Sequence, residues 1–162
     1  MIGHLRWLPM KHLLIAYHSK TGHTEALIDA AYKGATSPEI SGVEVRKLTA
    51  IQAGPEDLLW ADGVLLGTPE NFGYMSGALK DFFDRTFYEV EGKLAPLPYG
   101  LVIGAGNDGT GAIRSIKRIV NGYPLTEIAE PIISRQSPDK KVLAQCEELG
   151  GLLAAGLEMG IF

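Results

Sequence analysis

Cysteine is almost absent: Cys146 is the only one in 162 residues, so no disulfide can form within the chain. A lone thiol suits a reducing compartment, and a cytoplasmic location is the expectation. Long apolar runs are lacking too. No window approaches the roughly 18 apolar residues of a membrane span, and the opening stretch MIGHLRWLPM has neither a signal-peptide core nor a small-residue cleavage pattern. Neither a membrane span nor export is expected. Charge of one sign is not in excess: Lys and Arg number 15 against 19 Asp and Glu, a net of −4. That balance offers no attraction to a nucleic-acid backbone, so no nucleic acid is expected among the partners. His4 and His12 have no Cys, Asp or Glu at ligand spacing, so no metal site is expected.

What remains is an ordinary globular composition, 46% apolar and 21% charged, enough for one core. Met10 is followed at once by the strand-like Lys11–Tyr17. The domain is therefore expected over residues 10–162, with residues 1–9 as an N-terminal extension. Short apolar runs at Leu13–Tyr17, Val43–Leu48, Gly63–Gly67, Leu101–Ala105 and Glu127–Ser134 alternate with amphipathic segments. Val64-Leu65-Leu66 and Leu101-Val102-Ile103 are apolar on successive residues, which predicts strands covered on both faces, as in a parallel sheet under helices. The mixed Val43–Leu48 run predicts an edge strand. Helical spacing relates Leu79, Phe82, Phe83 and Phe87, then Ile113, Ile116 and Val120, then Val142, Cys146, Leu149 and Leu153. The order is βαβαβαβαβα, an α/β doubly wound sheet, whose ligands bind outside the carboxyl ends of the strands.

Glycine is abundant, 20 of 162 against a usual roughly 7%, and much of it is expected in three loops at that edge. After the first strand, His18-Ser19-Lys20-Thr21-Gly22-His23-Thr24 leads into a helix over Glu25–Gly34. Hydroxyls around a glycine at a helix N-terminus suit a phosphate, because unpaired N–H groups and the helix dipole both attract an anion. N-capping by Thr21 or Thr24 is the competing use. After the third strand, Thr68-Pro69-Glu70-Asn71-Phe72-Gly73-Tyr74 places two aromatics beside a glycine, where a flat ring could cover them or they could fold back onto the core. After the fourth strand, Gly104-Ala105-Gly106-Asn107-Asp108-Gly109-Thr110-Gly111 can present successive N–H groups to a heterocycle, or can be a plain turn.

Together these loops resemble the flavodoxin-like FMN-binding superfamily. Ser19-x-Thr21-Gly22-x-Thr24 matches its phosphate loop. Asp62 to Pro69, followed by Phe72-Gly73-x-Met75-Ser76-Gly77-x-x-Lys80-x-Phe82-x-Asp84, is similar to the Trp-repressor-binding-protein type of NAD(P)H:quinone oxidoreductase and to NADPH-dependent FMN reductases. The resemblance implies a flavodoxin-like three-layer sandwich whose five-stranded parallel sheet has the order 2-1-3-4-5. It implies FMN with its phosphate on the Ser19–Thr24 loop, near His18, and its ring between two further loops. Those are Thr68, Pro69, Glu70, Asn71, Phe72 and Gly73 on one side, and Gly104, Ala105, Gly106, Asn107, Gly109 and Gly111 on the other.

With FMN carrying the chemistry, no catalytic side chain is expected. Glu70 and Asp108 are read either as solvated carboxylates or as charges that disfavour an anionic reduced flavin. The activity implied is an NAD(P)H-dependent flavin or quinone oxidoreductase, with NAD(P)H as donor and a small-molecule acceptor. The alternative is a flavodoxin carrying single electrons between redox proteins. The modest charge of −4 is a poor surface for steering onto basic partners and tilts the reading toward the enzyme. A homo-oligomer is compatible with either.

Overall fold

A computed structural model describes residues 9–162 of the chain. The expected extension over residues 1–9 and His4 fall almost wholly outside the described residues. The elements are β1 (Lys11–Tyr17), α1 (His23–Ala35), β2 (Val43–Thr49), α2 (Pro55–Trp60), β3 (Gly63–Asn71), β4 (Tyr74–Met75), α3 (Gly77–Val90), β5 (Leu97–Gly104), α4 (Thr110–Val120), β6 (Leu125–Glu127), β7 (Ile132–Ser134) and α5 (Lys140–Met159). The main path of the sheet runs β2-β1-β3-β5-β6 with parallel pairing, and β7 pairs with β5 beyond β6. This is the expected 2-1-3-4-5 order of a flavodoxin-like sandwich.

Strand alternation divides the core into two layers. Leu14, Ala16, Val64, Leu66, Leu101 and Ile103 face α2, α3 and α4, while Leu13, Ile15, Leu65 and Val102 face α1 and α5. Both faces are covered, as the successive apolar residues predicted. Phe82, Ile116, Cys146 and Leu153 lie in the core on the predicted helical stripes. Burial pushes the Cys146 thiol up to about 12, which leaves it inert at neutral pH.

Several boundaries differ from the sequence reading: β5 begins at Leu97 and α1 at His23. The fifth strand is two short pieces, β6 and β7, separated by Ile128–Pro131, because Pro131 has no N–H to continue a ladder. The third strand runs on to Asn71 and returns as β4, so part of the expected loop is a hairpin with Glu70 opposite Met75 and Asn71 opposite Tyr74. Some of the glycine outside those loops has a packing role. A Cβ on Gly150 would strike the Ala31 carbonyl, and one on Gly34 the Glu147 carbonyl; the two glycines bring α1 and α5 into backbone contact.

Candidate functional site

The amino end of α1 lies at the carboxyl rim of the sheet, beside the end of β5. Gly22 is its N-cap at φ 97° and provides no side chain to cap the helix. Neither Thr21 nor Thr24 caps it. Ser19 acts instead: its Oγ accepts from the N–H of Gly22 at 3.2 Å and of Glu25 at 3.2 Å. Among the described residues, the N–H groups of Lys20, Thr21, His23 and Thr24 find no acceptor. Thr24 is only 2% exposed, and its hydroxyl lies beside Gly104. A Cβ on Gly104 would come within 2.9 Å of that hydroxyl. The glycine keeps the space in front of Thr24 open.

The β3–β4 hairpin turns through Phe72 at φ 53° and Gly73 at φ 69°. Phe72 is 107% exposed and Tyr74 42%. Neither aromatic folds back onto the core, and Phe72 holds a left-handed conformation that costs about 1–2 kcal/mol for a residue with a Cβ. Contacts with α4 and with its own stem fix the hairpin. The Glu70 carboxylate accepts from Gly109 N–H at 3.3 Å and Ala112 N–H at 3.1 Å, capping α4, whose own N-cap Gly109 has no side chain to do so. Ser115 Oγ accepts from Met75 N–H at 3.1 Å, and Thr68 Oγ1 accepts from Ser76 N–H at 2.9 Å. Gly111 packs against the Gly73 carbonyl so closely that a Cβ would overlap it.

Both carboxylates have partners within the protein. Glu70 is half-buried and caps α4. Asp108 is exposed and closes its own turn by accepting from Thr110 N–H at 2.9 Å and from its hydroxyl at 2.7 Å. Those two bonds hold its carboxyl below the usual carboxylate range, with smaller contributions from Arg135 and Arg114. The N–H groups of Gly106, Asn107 and Asp108 have no partner among the described residues, whereas that of Ala105 is bound to the Ser134 carbonyl at 2.8 Å.

A cleft of about 250 Å³ joins the three loops, bordered by Lys20, Thr21, His23, Thr24, Pro69, Glu70, Asn71, Gly104, Ala105 and Gly106. Of the remaining sequence-selected positions, Ser19 and Gly22 shape the first loop from behind, and Thr68 is wholly buried as a hairpin brace. Phe72 and Gly73 form the hairpin tip, while Asn107, Gly109 and Gly111 continue the third loop into α4. His18 is half-buried at the end of β1, with its N–H on the Gly67 carbonyl. Two lining residues escaped the sequence reading: Arg135 and Gln136, between β7 and α5. Their only signal was position, since they too follow a strand at its carboxyl end.

Residues 12–130 match the NADPH-dependent FMN reductase family. The chain belongs to that family. Among curated relatives it is 39% identical over 90 residues to a flavodoxin of Aquifex aeolicus, covering 53% of this chain and 48% of that protein. It is 35% identical over 95 residues to an NAD(P)H dehydrogenase (quinone) of Acidithiobacillus ferrooxidans, covering 48% of each. The match thus spans about half the length of these relatives. A solved flavodoxin from the domain Archaea superposes with a TM-score of 0.77 at 20% identity, covering 91% of this chain and 99% of that one. That likeness establishes the fold. As a member of the reductase family, the chain has its unpaired amides and its open cleft on the rim where such sheets hold ligands. Among the described residues no helix is long and apolar enough to cross a membrane.

Proposed function

We propose that this protein binds FMN at the carboxyl rim and is an NAD(P)H-dependent oxidoreductase whose acceptor is a quinone or a second flavin. The observation that carries the reading is the amino end of α1. A row of amides without partners and the space that Gly104 leaves beside the Thr24 hydroxyl form a cradle for an anion with several acceptor oxygens. A phosphate monoester has that character. At about 250 Å³ the cleft is below the ~300–1,000 Å³ usual for a whole ligand, which suits a phosphate and ribityl chain with the ring running out over the rim.

FMN supplies the hydride acceptance and electron transfer. The chain's part is to bind and orient. The N–H groups of Lys20, Thr21, His23 and Thr24 and the hydroxyls of Thr21 and Thr24 hold the phosphate, helped by the positive end of α1. Phe72 and Tyr74 border the ring. The free N–H groups of Gly106, Asn107 and Asp108 offer donors to its polar edge, where negative charge develops on reduction. Glu70 keeps hairpin and glycine loop in register through the two α4 amides.

The test is a visible spectrum of the purified protein, then anaerobic titration with NADPH and NADH and re-oxidation by a quinone. Stoichiometric FMN bleached by a reduced pyridine nucleotide and recovered with quinone is the expected result. Bound FMN that ignores both nucleotides, but exchanges single electrons with a redox protein, would transfer the assignment to a carrier, the class of the Aquifex aeolicus relative. A folded protein that takes up no FMN would overturn both.

A further inference from the structure

Arg135 belongs to neither of the loops that bracket the hairpin nor to the phosphate loop, yet it borders the same cleft as Lys20, His23 and Thr24. Its backbone is fixed on either side. Ser134 is buried, its carbonyl accepts from Ala105 N–H at 2.8 Å, and its hydroxyl donates to the Gln136 carbonyl at 2.9 Å. Arg135 is thereby tied to the start of the glycine loop. Its side chain is exposed and forms no hydrogen bond or ion pair among the described residues. The acidic group in its neighbourhood, Asp108, is already engaged by Thr110.

The charges around the cleft give this cation a task. Glu70 lines it as a carboxylate, and a phosphate monoester brings about 1.5 to 2 further negative charges near neutral pH. Backbone amides and the helix end offset part of that repulsion. Lys20 and Arg135 are the basic side chains on the cleft that offset the rest, with His23 beside them. Of these, Arg135 alone presents a planar fork of donors suited to phosphate oxygens.

We propose that Arg135, resting on the FMN reading above, is the charged partner of the cofactor's phosphate and sets the preference for phosphorylated over unphosphorylated flavin. The phosphate site is then completed by a fourth loop, that between β7 and α5. The ring and ribityl chain owe nothing to Arg135, so its removal acts on one end of the ligand only.

The full-length protein is titrated with FMN and with riboflavin, following flavin fluorescence, for wild type, Arg135→Gln, Arg135→Lys and Lys141→Gln. Lys141 lies in the first turn of α5 outside the cleft and removes the same charge. Arg135→Gln is expected to weaken FMN by about tenfold or more while riboflavin changes by less than about twofold. Arg135→Lys recovers part of the loss, Lys141→Gln leaves both ligands unchanged, and the melting temperature is the same in all four. Equal losses for FMN and riboflavin, no loss for FMN, or an equal loss from Lys141→Gln would each overturn the proposal. Wild-type protein that binds neither flavin sinks the cofactor reading instead. Tight FMN binding indifferent to Arg135 leaves that reading standing.

Discussion

The α1–α5 seam and the carboxyl rim use the same residue for opposite ends. In the seam, Gly34 and Gly150 are required because each faces a carbonyl of the opposite helix, and the missing Cβ brings the two backbones together. On the rim, Gly22 turns the chain at φ 97° with nothing near it, and Gly104 leaves room before the Thr24 hydroxyl, so these two glycines leave open space rather than a contact. One region brings two helix backbones into contact; the other keeps amides unpaired and an aromatic in a left-handed turn. A chain tolerates the second arrangement because the first, with two core layers beneath it, supplies the stability.

Substitutions that exchange these roles should therefore separate stability from binding. The largest effect is expected from Gly150→Ala, whose methyl group has no space against Ala31. Unfolding free energy should fall by about 2–3 kcal/mol in a denaturant titration, since packed backbone cannot yield as a side chain does. Gly104→Ala adds the same methyl group on the rim, at 2.9 Å from a hydroxyl that can rotate. There FMN affinity should drop about tenfold, roughly 1.4 kcal/mol, with a smaller change in stability. A larger loss of stability than of affinity would erase the contrast.

Glu70→Ala tests the join between hairpin and α4. Two amides lose their acceptor, and a loss of about 1–2 kcal/mol is expected, with weaker FMN binding beside it. Glu70→Gln, which keeps one acceptor oxygen, should lie between. Phe72→Asn makes an Asn-Gly pair at the hairpin tip, the preferred chemistry for two residues at positive φ. It should raise stability by up to about 1 kcal/mol while removing an aromatic border of the ring. The smallest effect belongs to Asp108. Its folded carboxyl is held below the ordinary range by the two Thr110 bonds, so its contribution is complete above the unfolded carboxylate range and fades as pH falls through the lowered value. Asp108→Asn should flatten the acid limb of a stability profile slightly; a steeper limb would contradict the assignment.

The legible parts of the protein were those written in local pattern. Val64-Leu65-Leu66 and Leu101-Val102-Ile103 declared buried parallel strands, Val43–Leu48 an edge, and Ser19-x-Thr21-Gly22-x-Thr24 a turn into a helix start. The hairpin was missed because Asn71 to Tyr74 reads as turn chemistry whether or not its flanks pair. Glu70 could be seen as a carboxylate near the site but not as a cap, since the helix it caps starts forty residues downstream. Arg135 had no motif at all.

Residue types and their spacing alone determined which segments turn away from water and where the chain must bend, because periodicity and glycine conformation act within a few neighbouring residues. Only the tertiary structure decided which amides stay unpaired, which carboxylate caps which helix, and which cation borders the rim cleft. Those outcomes depend on what distant segments deliver to the same few ångströms, and no local pattern contains that.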